Sequence, residues 1–96
     1  MPIISQFFGI LVYMYREIGG HHNEPHIHIK YNEYKMSITI KGKKLSGNLP
    51  KKQKKLVDAW IMIHEDELEA AWYALNNDGE IIKIKGLEWL EWDQKL

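Results

Sequence analysis

From His26 to Ile40 apolar and polar residues alternate, and the phase of the alternation reverses once. In His26-Ile27-His28-Ile29-Lys30-Tyr31 the odd positions are apolar, whereas in Tyr34-Lys35-Met36-Ser37-Ile38-Thr39-Ile40 the even positions are. Successive side chains of a strand point to opposite faces, so this pattern describes two antiparallel strands joined at Asn32-Glu33. Tyr31 then faces Tyr34, Ile29 faces Met36 and Ile27 faces Ile38, which gathers every apolar residue on one face. The other face carries His28 opposite Ser37, His26 opposite Thr39 and Lys30 opposite Lys35. A slip of one residue would mix the two faces, so the alternation itself sets the register. Such a hairpin needs a layer over its apolar face and leaves a face of histidines and lysines outside.

The rest of the chain supplies that layer. Gln6 to Arg16 is apolar on both alternating sets, as in a strand buried on both faces, and reads as one central strand ended by Gly19-Gly20. Lys41-Gly42-Lys43 makes a second turn, and Lys44 to Leu49 a short further strand. After Pro50, which suits a first helical turn, no Gly or Pro interrupts the chain before Asn77. Val57, Ile61, His64, Leu68, Ala71 and Leu75 follow steps of three and four, a helical stripe flanked by Trp60 and Trp72. One straight helix of that length would run ~40 Å, more than so small a domain can cover, which places a bend or break near His64-Glu65-Asp66. Asn77-Asp78-Gly79 stops the helix, and Glu80 to Ile84 reads as a last strand. The expected fold class is α+β: an antiparallel sheet of four to five strands, with one long helix, bent or split, packed on one face.

At 96 residues the chain is expected to be a single domain, 1–96, with a core over about 2–85 and a Trp-rich tail over 86–96. Leu87, Trp89, Leu90 and Trp92 make that tail costly to leave in water, so it docks on the domain or meets a partner. The absence of cysteine excludes disulfides and thiolate metal sites, and it fits a cytoplasmic protein. The longest apolar run, Phe7 to Tyr15, is about half the ~20 residues that a membrane helix needs. No membrane association is expected, and no leader segment is recognised at the N-terminus.

Charge is segregated although the total is zero. Residues 1–55 carry Arg16 and nine lysines against Glu17, Glu24 and Glu33, a balance of +7, and the remainder carries −7. The basic half can meet a polyanion, or the halves can complement one another within the fold or across a homo-oligomer. Lys51, Lys52, Lys54 and Lys55 crowd a first helical turn, where the helix dipole disfavours cations, and this hints at nucleic acid or an acidic partner. Tyr31 and Tyr34, which could stack bases, belong to the apolar face.

Four of the five histidines, His21, His22, His26 and His28, lie within eight residues. On a strand His26 and His28 leave the same face ~6.6–6.8 Å apart, a spacing that suits one ion or one phosphate between them. Two chemistries fit, beside a plain solvated strand face. His26 and His28, with His22 (or His21) returning from the loop, could hold a divalent metal such as zinc, with Glu17 or Glu24 as a carboxylate and a position left open. Alternatively, imidazoles near pKa 6.5 act as general acid and base without a metal. With Lys30, Lys35, Lys41, Lys43 and Lys44 placing a phosphodiester, His22, His26 and His28 would then cleave RNA. His64, in the middle of the helical stripe, reads as a core residue on the far side of the sheet.

Several short motifs together resemble a prokaryotic family known only as domain of unknown function 4160. They are Pro2-Ile3-Ile4-Ser5 before Phe8-Gly9-Ile10, then His22-x-x-Pro25-His26-x-His28 followed by Tyr31, Glu33 and Tyr34. Gly47-x-Leu49-Pro50, Trp60-Ile61-x-x-His64, Glu67-Leu68, Trp72 and Gly79-Glu80 before Lys83-Ile84 complete the set, over about residues 2–85. Where the family has Pro-Pro before the first strand histidine, this chain has Glu24 in the first place. The tail after Gly86 lies outside the pattern. The resemblance implies no settled activity. It does imply a gene beside another small reading frame in the manner of toxin–antitoxin pairs, hence a toxin-like component with an antitoxin-like partner. The metal reading and a non-catalytic interaction module are the alternatives.

Overall fold

A computed structural model describes residues 2–16 and 24–88. The chain forms β1 (Ile3–Phe7), β2 (Ile10–Tyr13), β3 (His26–Tyr31), β4 (Tyr34–Thr39) and β5 (Lys44–Gly47), then α1 (Lys51–Ile63) and α2 (Glu65–Asp78). The strands lie in the order β1-β2-β3-β4-β5, each antiparallel to its neighbour, so the sheet is a meander. This is the α+β arrangement expected from the sequence.

The β3–β4 pairing follows the register that the alternation demands, from His26↔Thr39 through His28↔Ser37 to Tyr31↔Tyr34. Asn32 closes the turn at φ 52°, a left-handed conformation that asparagine tolerates better than most residues. Ile27, Ile29, Met36 and Ile38 are at most 3% exposed. They share one core with Val57, Trp60 and Ile61 of α1 and Leu68, Ala71 and Leu75 of α2. Burial of such side chains, at about 1.5–3 kcal/mol each, holds the helices on this face.

Gln6 to Arg16 is not one strand. Phe8 (φ 49°) and Gly9 (φ 78°) form a two-residue turn between Phe7 and Ile10, and the chain folds back as the β1–β2 hairpin. Positive φ at both central residues is the condition of a type I′ turn. An aromatic residue rarely adopts it, which is why the apolar run hides the turn. The stretch is apolar on both sets partly because the core takes Phe7 from one strand and Ile10, Val12 and Met14 from around the other.

The expected long helix is split at His64 (φ −110°, ψ 24°) into α1 and α2. The amide of His64 still donates to Trp60 O (3.0 Å), and its carbonyl accepts from Leu68 N (2.9 Å), so the axis bends without a gap. Glu65, Asp66 and Glu67 fill the first turn of α2, where the helix dipole favours acids. Gly79, at φ 71°, ends α2.

Glu80 to Ile84 does not form the expected last strand. The segment runs without regular structure along the edge of β1, where Ile84 N donates to Ile4 O (2.8 Å). Just beyond it, the Trp60 indole donates from Nε1 to Lys85 O (2.9 Å), which ties the segment to α1. At Gly86 a Cβ would stand 2.6 Å from Gln6 O, so only glycine lets the chain pass this close. Leu87 packs against the core, so the start of the tail docks on the domain. Trp89 and Trp92 lie outside the described residues. Among the described residues no helix is long and apolar enough to cross a membrane.

At Gly47 (φ +78°) a Cβ would stand 2.1 Å from the Lys35 carbonyl oxygen, whereas at Gly42 (φ +94°) it would meet nothing within 4 Å. Both glycine-to-alanine changes incur backbone strain of about 1–3 kcal/mol. Only Gly47→Ala also forces β5 away from β4. Urea unfolding should show a clearly larger stability loss for Gly47→Ala than for Gly42→Ala, and equal losses would contradict this account.

Candidate functional site

Because β2, β3, β4 and β5 pair in register, one row crosses the open face of the sheet: Tyr13, His28, Ser37 and Ser46. Lys30 and Lys35 form the next row, ~6.6–6.8 Å along the strands. Together these residues line a pocket of about 320 Å³, with Tyr15 and Gly47 at its margins. The apolar face beneath packs against the helices.

The two strand histidines share a face but not an environment. His28 is half-buried and lines the pocket, and its Nδ1 lies 3.1 Å from the Ser37 hydroxyl. The Tyr15 ring meets it edge-on at a centroid distance of 4.7 Å. His26 is 5% exposed and does not line the pocket. It donates from Nδ1 to Glu24 O at 2.9 Å, and since a carbonyl only accepts, this bond fixes the Nδ1–H tautomer. Its ring packs against Trp72 of α2 at 5.2 Å and against His28 at 5.3 Å. His26 therefore backs His28, held between a loop carbonyl and a tryptophan. Its cross-strand partner Thr39 is fully buried, and its Oγ1 accepts from Lys43 N (3.0 Å) and Lys41 N (3.3 Å), closing the β4–β5 turn.

The candidate lysines divide. Lys30 and Lys35 are in the pocket. Lys41 is bound to Glu65 at the start of α2, with Glu69 at 3.8 Å. The Glu65 hydrogen bond, then the charges of Glu65 and Glu69, raise its pKa above the ordinary lysine value. Lys41 thus ties the β4–β5 turn to α2. Lys44 donates to Asn48 Oδ1 (2.8 Å), and Lys43 is exposed on the turn. On α1, Lys54 pairs with Asp58 at 2.8 Å, while Lys51, Lys52 and Lys55 are exposed.

His21, His22 and Glu17 lie outside the described residues. Among the described residues no group of three His, Cys, Asp or Glu side chains is placed to hold a metal ion, and His26 and His28 remain a pair. His64 contacts Glu67 through Nδ1 and the Trp60 ring at 5.5 Å, on the helix side of the sheet and apart from that pair.

The pocket also contains residues that the sequence pattern does not single out. Tyr13 and Tyr15 stand in near-parallel planes (8°) with centroids 6.3 Å apart. Their signal lay in the register: once β2 is a separate strand, Tyr13 must face His28. Ser46 and Gly47 come from β5, a strand exposed along its whole length.

A family described as domain of unknown function (DUF4160) matches residues 9–73, about two thirds of the chain. The chain belongs to this family. The DUF4160 match covers β2 through most of α2, and so includes the strands that form the open face. It carries no activity with it. No curated protein and no solved structure shows significant similarity to the chain.

Ser37→Ala removes the hydroxyl beside His28 Nδ1 and leaves His26 untouched. Long-range ¹⁵N–¹H spectra should show changed His28 ring signals and an unchanged Nδ1–H pattern for His26, with a stability loss of no more than ~1 kcal/mol. Unchanged His28 signals would contradict the contact.

Proposed function

We propose that the protein is a toxin-like component of a two-gene pair that binds and cleaves RNA on the open face of its sheet. The observation that carries this reading is the pocket in which His28, Lys30, Lys35 and Ser37 converge. Two lysines in one row suit a phosphodiester, and an imidazole in the adjacent row is placed to exchange a proton with it. In metal-free cleavage the ribose 2′-oxygen attacks phosphorus, and the bond from phosphorus to the 5′-oxygen breaks. The base takes the 2′-hydroxyl proton and an acid returns one to the 5′-oxygen, leaving a 2′,3′-cyclic phosphate. His28 takes one of these roles and His22 is the candidate for the other. His26, its Nδ1–H committed to Glu24 O, positions His28. An antitoxin-like partner would cover this face or the Trp-rich tail.

Two measurements test the reading. Induced expression should arrest growth, and the purified protein should cut single-stranded RNA in the presence of a chelator. His28→Ala should slow cleavage by about 10²–10⁴-fold. Joint replacement of Lys30 and Lys35 by Ala should weaken RNA binding and flatten the log–log salt dependence by ~1.4, as for two lost phosphate contacts. Normal growth together with intact RNA overturns the nuclease. Cleavage that appears only with added Zn²⁺ favours instead a metal held by His22, His26 and His28.

A further inference from the structure

Resting on that RNA reading, we propose that Tyr13 and Tyr15 form a nucleobase subsite. The pocket then takes one unpaired nucleotide, so the substrate is single-stranded RNA. The two rings line the pocket on the β2 side of His28, in planes only 8° apart. A base lying parallel to one ring is parallel to both, which an edge-to-face pair would not allow. Tyr15 also touches the His28 ring at 4.7 Å, so a base held here brings its own ribose to the imidazole.

The sheet supplies the complementary spacing. Tyr13 and His28 are cross-strand neighbours in one row, and Lys30 with Lys35 makes the row ~6.6–6.8 Å along. Base, ribose and phosphate of a single nucleotide thus meet tyrosine, histidine and lysine in order. A volume of about 320 Å³ sits at the lower end of the ~300–1,000 Å³ of small-molecule sites, enough for one nucleotide. An A-form duplex keeps its bases stacked inside, so it cannot present one to this pocket, whereas a loop or free strand can.

The experiment compares three probes on the full chain by calorimetry: inorganic phosphate, ribose 5-phosphate and a nucleoside 3′-monophosphate. The nucleotide should bind more tightly than ribose 5-phosphate by on the order of 5–150-fold, the range of one base–aromatic stack. Tyr13→Leu and Tyr15→Leu should each reduce that advantage and leave phosphate binding unchanged. As a check that needs no variant, the nucleotide should shift the Tyr13 and Tyr15 ring proton resonances of the wild type, and ribose 5-phosphate should not. Equal binding of the nucleotide and ribose 5-phosphate overturns the base subsite while leaving the phosphate site intact. Duplex RNA that binds as tightly as a single strand of the same sequence also overturns it. Absence of binding by all three probes removes the RNA reading together with the subsite.

Discussion

Six cross-strand pairs between β3 and β4, from His26–Thr39 to Tyr31–Tyr34, divide the sheet into two faces of opposite character. Strand side chains alternate strictly, so this one ladder decides where every neighbouring residue points. It sends Ile27, Ile29, Met36 and Ile38 to the side that must be dried, and the two helices follow as the layer that dries them. The same pairs send His28, Lys30, Lys35 and Ser37 to the other side. β2 then adds Tyr13, and β5 adds Ser46. Core and pocket are two consequences of one register.

The ladder was legible because both of its strands alternate cleanly and the turn reverses the phase. The break at His64 was legible for a different reason, since a helix cannot outrun the domain that it covers. The β1–β2 turn was not, because Phe8 occupies a left-handed position that its side chain gives no hint of. The face of Tyr13 follows only from the β2–β3 pairing that this turn makes possible, and Tyr15 lies beyond the last pair of that ladder. The segment after Gly79 carries a strand-like run of apolar residues, yet it makes one backbone bond to β1, from Ile84 N to Ile4 O, and is tied to α1 by the Trp60 indole on the Lys85 carbonyl. Such a long-range contact leaves no local trace in a sequence.

The histidine cluster shows the same limit at the level of single residues. Period two puts His26 and His28 on one face, as found, but it does not say that α2 brings Trp72 against His26 at one end of that face. The result is a division of labour: a buried imidazole with a fixed tautomer behind, and a half-buried one in the pocket. The lysines divide likewise, since a turn lysine pairs with Glu65 at the acidic start of α2, while the strand lysines line the pocket.

On the proposed reading this DUF4160 protein meets its ligand on the open sheet face and not at the lysine-rich start of α1. The most direct test is a two-dimensional NMR titration of the full chain with a short single-stranded RNA. The account predicts that the largest shifts fall on Tyr13, Tyr15, His28, Lys30, Lys35 and Ser46. Shifts confined to Lys51, Lys52, Lys54 and Lys55, with the sheet unperturbed, would contradict it.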